Sequence, residues 1–231
     1  MATGKFGPAS GLLFVDGYNM LSNKITGLRE KASSQLTDTT GIGDTFYETA
    51  PTGLTTVEVV QEGAFFDTTA NYSHAAFSGS VPTSPQATTR IMCLGFAGQT
   101  IGYPMVGYEG NFTQDYEVVA ALGDLQKANV TYAMSGSRSA GVIIEKLVTK
   151  TDSWDTTSTP VDNSASTSDG GVGYIQCTAA SGFSGFIGKV RHSSDDVTYS
   201  DLLSFTDDVS APFAERVTVS GTVNRYLSFT G

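Results

Sequence analysis

The chain has 231 residues, of which 23 are acidic and 13 basic, and its formal net charge is −10. A chain of this length can bury a hydrophobic core without a metal or a disulfide, and its negative charge argues against a surface that grips nucleic-acid phosphates. Abundant Ser, Thr, Gly and aromatic residues favour an all-β fold with many turns and a minor helical part.

The N-terminal segment begins with an apolar run at 12–15, which is followed by Asp16-Gly17. This dipeptide is favoured in tight hairpin turns, so the pattern predicts a short buried strand that ends in a turn. The apolar run is too short for a signal peptide, and no stretch approaches the ~20 apolar residues of a membrane span. We therefore expect that the chain does not insert into a membrane. We expect its assembly to take place in a cytoplasm.

A long hairpin arm is predicted around the stretch Leu36–Asp67. The portion Asp38–Gly53 is polar and interrupted by glycine and proline, which predicts a mobile tip. Val57 and Val59 then alternate with polar residues, as they would in a strand. Residues 20–35 supply the other strand of the arm, although their apolar spacing fits a helix as well.

The arm is expected to end at Gly63, because glycine weakens a strand. Asp67–Thr69 then offers a cap for a short helix that runs through Phe77. Five further runs predict strands, of which the last fits a two-turn helix too but is rich in β-branched residues. In the fourth run Val130 and Tyr132 share one face with Met134. The five runs are 90–97, 100–108, 112–122, 127–134 and 141–149.

The composition changes after residue 150. Residues 151–171 are nearly free of apolar side chains, which predicts a linker between a domain at 1–150 and a smaller domain at 172–231. Short strand-like runs separated by turns predict a small β-sandwich for the second domain. These runs are 172–179, 183–192, 198–205, 216–220 and 225–230.

The sequence offers little for catalysis. His74 and His192 are the only histidines, and neither lies in a hydrolase or zinc motif. Asp115 and Glu117 share one face of a predicted strand, an arrangement that fits the acid pair of a glycosidase and equally a solvated face. We predict a protein that is not an enzyme and that has neither a cofactor nor a metal site.

Two other groups of residues have structural interpretations. Cys93 and Cys177 lie far apart, each in an apolar run, so we expect two reduced core residues. The segment Ser193–Asp196 is typical of a turn held by Asp and Ser side chains. Calcium binding at Asp195 and Asp196 stays open, although the EF-hand spacing is absent.

Four segments of the first 150 residues carry a family resemblance: GLLFVDGYNM at 11–20, GIGDTFYETAPTGLTTVEVVQEGAFFD at 41–67, IMCLGFAGQTIG at 91–102 and YEVVAALGDLQKANVTYAMSG at 116–136. Together they resemble the major tail tube proteins of long-tailed, siphovirus-like bacteriophages. The segment VRHSSDDVTYSDLLSFTDDVSAPFAERVTVSGTVNRYLSFTG resembles a small β-sandwich module appended to phage virion proteins, with Tyr199 where Trp is more usual.

The resemblance implies a structural subunit of a virion tail. Six copies would close a ring around a continuous β-barrel, and rings would stack into a tube that conducts the genome. The implied partners are further copies of the chain, other tail proteins and genomic DNA, which passes an acidic wall without specific binding. The tip of the arm would be the contact loop between rings, with the candidate residues Asp38, Thr39, Ile42, Asp44, Phe46 and Tyr47.

Two other classes of function stay open. The first is a capsid decoration protein or a virion protein that binds a surface carbohydrate through its C-terminal module. The second is a glycan hydrolase that uses Asp115 or Glu117.

Overall fold

The computed structural model describes residues 11–20, 25–43, 45–65, 90–134, 136–150, 159–181, 185, 187–206 and 211–231. This part of the chain is almost entirely β-structure, as the composition predicts. The helix predicted at 67–77 lies outside the described residues. Among those described, no helix has the length and hydropathy that a membrane span requires.

The N-terminal part forms an antiparallel sheet. Its strands are β1 Leu12–Val15, β2 Tyr18–Asn19, β3 Gly27–Asp38, β4 Thr49–Phe65, β5 Arg90–Gly95, β6 Pro104–Val119, β7 Lys127–Met134 and β8 Arg138–Val142. Their order in the sheet is β2-β1-β5-β6-β7-β4-β3, and β8 pairs with the first part of β6. The predicted hairpin arm is the pair β3 and β4.

Asp16-Gly17 forms the two-residue turn between β1 and β2, as predicted. The φ angles of these two residues are 50° and 83°, and a type I′ turn requires positive φ at both positions. The Asp16 carboxylate also anchors the start of β5. It accepts a hydrogen bond of 2.9 Å from the Ile91 N–H and forms an ion pair of 2.7 Å with Arg90.

Two strands run through glycines at which the sequence predicted that a strand would end. At Gly63 the register of β4 shifts, but the strand runs on to Phe65. Gly110 lies where β6 shifts against β5, so the strands predicted at 100–108 and 112–122 are one strand. Both glycines have positive φ, 69° and 72°. A glycine bulge accommodates the extra residue and bends the strand without ending its pairing.

The strand predicted at 141–149 is wrong over most of its length. β8 begins at Arg138 and ends at Val142, and the following residues are irregular. The apolar side chains that suggested a regular element serve packing instead. Ile143 is buried beside Leu12 and Phe14, and Ile144 contacts the core of the C-terminal part.

One face of the N-terminal sheet carries its main core. Val130 and Tyr132 are fully buried there, and Met134 packs against them, so the alternation predicted for β7 is confirmed. The buried cluster consists of Leu13, Val15, Met20, Val59, Met92, Leu94, Tyr108, Val130 and Tyr132.

The C-terminal part forms two small sheets. Its strands are β9 Val161–Asp162, β10 Gly171–Cys177, β11 Lys189–Ser193, β12 Ser200–Ser204, β13 Phe213–Val219 and β14 Tyr226–Thr230. One sheet pairs β10 with β13, and the other has the order β12-β11-β14-β9. Val190, Leu203 and Phe229 of the larger sheet pack against Ile175 and Val217 of the smaller one, which makes a small sandwich.

Part of the predicted linker belongs to this sandwich. β9 pairs with β14, and Thr167 bridges to Val223. The sequence did not predict β9, because a two-residue strand leaves no periodic pattern. The domain boundaries at 150 and 172 stay a prediction.

The smaller C-terminal sheet packs on the N-terminal sheet, on the face opposite the main core. The Gln176 side chain accepts a 2.7 Å hydrogen bond from the Gly17 N–H and donates one of 3.2 Å to the Ile91 carbonyl. Arg216 forms an ion pair of 3.0 Å with Glu109. These polar contacts fix the sandwich, which we call the C-terminal unit, against the N-terminal sheet.

Tyr174 is the apolar centre of this contact. Its ring packs with the buried residues Leu12, Phe14 and Cys93, and its hydroxyl lies 3.2 Å from the Ser139 hydroxyl. Because this cluster is buried, the C-terminal unit covers part of the sheet face that lies opposite the main core.

Candidate assembly surface

The arm projects well beyond the rest of the sheet. β4 pairs with β3 from Thr49 to Glu62, but β7 covers β4 only from Glu58 onward. Residues 49–57 of β4 therefore pair with β3 alone. At about 3.3 Å per residue they form a two-stranded ribbon roughly 30 Å long. Such a ribbon has no core of its own and is only marginally stable in isolation.

Hydrogen bonds close the tip of the ribbon. The Thr39 N–H donates to the Glu48 carbonyl at 3.0 Å, and the Thr40 N–H donates to Asp38 Oδ1 at 2.8 Å. The hydroxyl of Thr40 accepts from the Glu48 N–H at 2.9 Å. The hydrogen bonds from Thr40 hold the pKa of Asp38 below its ordinary value. Of the candidate residues, Asp38 and Thr39 therefore shape the tip.

A bulge bends the ribbon below its tip. The pairing of β3 with β4 shifts between Ser34 and Leu36, so that Leu36 lies opposite Pro51 and Ser34 opposite Thr55. Gly53 has a φ of 81° within this bulge. The segment Pro51–Gly53, predicted as part of the tip, is thus a bent part of β4.

The tip exposes large apolar side chains. Ile42 is fully exposed, and the exposed fractions of Phe46 and Tyr47 are 81% and 74%. Leu36 and Leu54, on the ribbon itself, are more than half exposed. We call these five side chains the tip set; Asp44 lies outside the described residues. Several exposed large apolar side chains on one projecting element are a candidate for an interaction site.

A second apolar set lies where β6 turns into β7. Leu122 is fully exposed and Leu125 is 66% exposed, while Val118 and Val119 at the end of β6 are also exposed. We call these four side chains the β6–β7 set. Sequence analysis missed this set, although the signal was available in two leucines that flank the polar pair Gly123-Asp124.

β3 is an edge strand of the N-terminal sheet. It pairs with β4 on one side, and the described residues provide no strand on its other side. An edge of twelve residues presents a row of backbone N–H and C=O groups that can pair with another chain. Edge strands of this length are usually covered or paired in the assembled protein.

The face of the long strands opposite the main core is polar and rich in acid. The register places Glu58 and Glu62 of β4 on this face, together with Asp115 and Glu117 of β6. Glu117 accepts a 3.2 Å hydrogen bond from Asn129 of β7, which lies on the same face. Three basic residues also lie on this face, Arg29 and Lys31 of β3 and Lys127 of β7, so the four carboxylates leave a net charge of one negative unit there.

The structure places three of the four residues that were considered for catalysis, Asp115, Glu117 and His192. Asp115 and Glu117 are solvent-exposed on the acidic face. Nδ1 of His192 accepts a 3.2 Å hydrogen bond from the Asn224 N–H, while His74 lies outside the described residues. Within the described part of the chain, no group of three His, Cys, Asp or Glu side chains is placed to hold a metal ion.

Asp195 holds the turn at Ser193–Asp196. Its carboxylate accepts hydrogen bonds from the N–H groups of Thr198 and Val197, at 2.9 and 3.0 Å, and from the Ser193 hydroxyl. These bonds lower the pKa of Asp195 to about 2. The turn therefore has the structure that its Asp and Ser residues predict.

Neither Cys93 nor Cys177 forms a disulfide. Cys93 is buried, as predicted, and its burial raises the pKa of the thiol to about 12. Cys177 is only half-buried, at the end of β10, so the expectation of a core residue is wrong for it.

Comparison with known proteins gives structural matches alone. No protein-family model matches the sequence, and no curated protein does. A chain of a structure entitled "Virion of native gene transfer agent (GTA) particle" is 8% identical with a TM-score of 0.44, over 59% of this chain and 99% of that chain. A chain of "Tail of empty GTA particle computed with helical refinement, C6 symmetry" is 12% identical with a TM-score of 0.43, over 58% of this chain and 98% of that chain.

Proposed function

We propose that the chain is a non-enzymatic structural subunit of a phage-type virion tail, whose copies form hexameric rings that stack into a tube. The projecting arm carries this proposal. It is a ribbon roughly 30 Å long that lacks a core and exposes Ile42, Phe46 and Tyr47 at its tip. Such a structure gains its stability from contacts with other subunits. The resemblance of the sequence to major tail tube proteins supports the tail as the place of assembly.

The free edge of β3 supports a closed ring. If every copy pairs this edge with a different edge of its neighbour, the interface is heterologous, and a rotation that closes leaves the β3 edge covered in every copy. The number six comes from the sequence resemblance. Ring closure would protect a twelve-residue edge that otherwise invites uncontrolled aggregation.

The acidic face supports passage of DNA without specific binding. Glu58, Glu62, Asp115 and Glu117 lie on the face opposite the main core, on the part of the long strands away from the C-terminal unit. Turned toward the bore of a tube, these carboxylates repel phosphates and keep DNA from adhering. Assembly takes place in the host cytoplasm, with other tail proteins as further partners.

Electron microscopy of the purified chain tests the proposal. We expect rings or open tubes in negative stain from a concentrated sample, and light scattering should give the mass of the ring. The matched variant replaces residues 38–53 by a short Gly-Ser turn. It should remain folded by circular dichroism and should not form tubes.

Two other results would contradict the proposal. A stable trimer that binds preformed capsids would identify a decoration protein. Turnover of a glycan substrate that is lost in Asp115→Asn or Glu117→Gln would identify an enzyme, since the structural proposal expects no turnover in any variant.

A further inference from the structure

The tip set and the β6–β7 set lie at opposite ends of the same sheet. β4 runs from Thr49, beside the tip, to Phe65, which pairs with Lys127 at the start of β7. Lys127 also pairs with Val119, the last residue of β6. The loop that carries Leu122 therefore lies at the far end of β4. The span of β4 is about 50 Å at ~3.3 Å per residue.

From this placement we infer that the tip set of one copy docks on the β6–β7 set of the next copy along the stack. The inference rests on the proposed function and names the surface that receives the arm. The occupant of each surface is a second copy of this chain, bound head to tail.

The placement of the tip set and the β6–β7 set at opposite ends of β4 distinguishes between two modes of association. Two copies that meet tip to tip would bury both tip sets in a closed pair and leave both β6–β7 sets in water. A head-to-tail contact instead uses both sets in every copy, and it repeats without limit along the direction of the strands. Heterologous contacts of this kind produce open-ended stacks.

The two sets offer exposed apolar side chains for this contact. Of the tip set, Ile42, Phe46 and Tyr47 are fully or largely exposed, and the β6–β7 set contributes Leu122 and Leu125. A fully covered aromatic side chain buries roughly 150–250 Å², so Phe46 and Tyr47 alone contribute roughly 300–500 Å². A single contact of this size is smaller than a standard interface of roughly 1,600 Å². The stack therefore depends on repetition of the contact around a ring, which adds avidity.

Cysteine cross-linking of the assembled chain tests the inference. In a Cys177→Ser background, one variant carries Ile42→Cys at the tip, a second carries Leu122→Cys, and a control carries Val197→Cys. Val197 is 81% exposed on the C-terminal unit. Each variant is assembled alone and in equal mixtures, treated with a short bis-maleimide, and analysed by denaturing gel and mass spectrometry.

We expect covalent dimers from the mixture of Ile42→Cys and Leu122→Cys chains at least tenfold above the level from either variant alone. The mixture of Ile42→Cys and Val197→Cys chains should stay at background. Dimers from Ile42→Cys alone, or tubes that form without any cross-link in the first mixture, would overturn the head-to-tail contact and leave the tail-tube proposal standing. Failure of the Cys177→Ser chain to form rings or tubes at any concentration, with the unaltered chain failing too, would overturn both.

Discussion

At the scale of single residues, Gly107 lies at a close contact between the N-terminal sheet and the C-terminal unit. A Cβ at this position would lie 2.3 to 2.6 Å from ring atoms of Tyr174. We expect Gly107→Ala to lower the free energy of unfolding by about 1–3 kcal/mol, because the ring must leave its packed position. Urea denaturation measures the change. Gly141→Ala on β8 is the control, since a Cβ there meets nothing within 4 Å; an equal loss in both variants would contradict the steric explanation.

Two exposed carboxylates make the C-terminal unit sensitive to acid. Hydrogen bonds from Arg225, at 2.6 and 2.7 Å, lower the pKa of Asp162 from an ordinary 3.8 to about 2. Backbone N–H groups lower the pKa of Asp195 to about 2 as well. The folded state thus binds these protons more weakly than the unfolded chain does. The stabilising contribution is complete above about pH 4 and is lost as the pH falls toward 2.

Thermal unfolding between pH 5 and pH 2 checks this dependence. We expect the midpoint to fall across about pH 4 to 2, and to fall less steeply in Asp162→Asn, which has no proton to gain. Asp169→Asn, an exposed neighbour on the same unit, should follow the unaltered chain. A midpoint that is equally steep in Asp162→Asn and in the unaltered chain would show that this carboxylate has no part in the effect.

Residues whose role is local could be predicted from the sequence. Asp16-Gly17 forms its turn because two adjacent residues determine it. The hydrogen bond from Gly17 to Gln176 joins residues 159 positions apart, and the fit of Tyr174 against Gly107 is similarly remote. Neither contact has a local pattern, so neither could be predicted.

At the scale of elements, we expect substitutions at the tip of the arm to affect assembly and to leave folding almost unchanged. Phe46 and Tyr47 are 81% and 74% exposed, so their replacement removes little buried surface within one copy. We expect Phe46→Ser/Tyr47→Ser to change the free energy of unfolding by no more than about 0.5 kcal/mol. The same variant should raise the concentration needed for assembly at least tenfold, which corresponds to about 1.4 kcal/mol.

Sedimentation velocity and urea denaturation measure these two quantities. Val197→Ser removes an equally exposed apolar side chain from the C-terminal unit and should leave both unchanged. A large loss of stability in the tip variant would place Phe46 and Tyr47 in the fold of the single copy.

The strands were predictable because their period is two, and β7 has the bounds that the sequence indicates. Their lengths were less predictable. A glycine with positive φ has the same appearance in a sequence whether it ends a strand or forms a bulge, so β4 and β6 are longer than predicted. For the tip, the polar sequence indicated the loop, whereas the arrangement of Asp38, Thr39 and Glu48 that closes it depends on backbone geometry.

At the scale of the whole molecule, charge opposes assembly. Each copy carries a formal charge of −10, and copies that gather in rings bring these charges within a few Debye lengths of one another. We expect assembly to begin at lower protein concentration as the salt concentration rises from about 0.05 M to 0.5 M, because the Debye length falls severalfold. Light scattering against protein concentration measures this threshold.

A variant of the acidic face provides the control. Glu58→Gln/Glu62→Gln removes two of its carboxylates and should assemble with a weaker dependence on salt. If added salt dissolves the assemblies of the unaltered chain, then attraction between charges, and not apolar contact, holds the copies together.

The turn at Asp16-Gly17 also bears on the order of events during synthesis. Its Gly17 N–H is bonded to Gln176, and the backbone of Phe213 fills the space beside the Gly17 Cα. On the ribosome, β1 and the arm emerge long before either partner has been translated. Until Gln176 and Phe213 have been made, the Gly17 N–H is left to water, and the apolar face around Leu12 and Phe14 stays uncovered. A nascent or truncated chain is therefore chemically different from a finished subunit, and it offers chaperones and proteases a surface that completed copies hide.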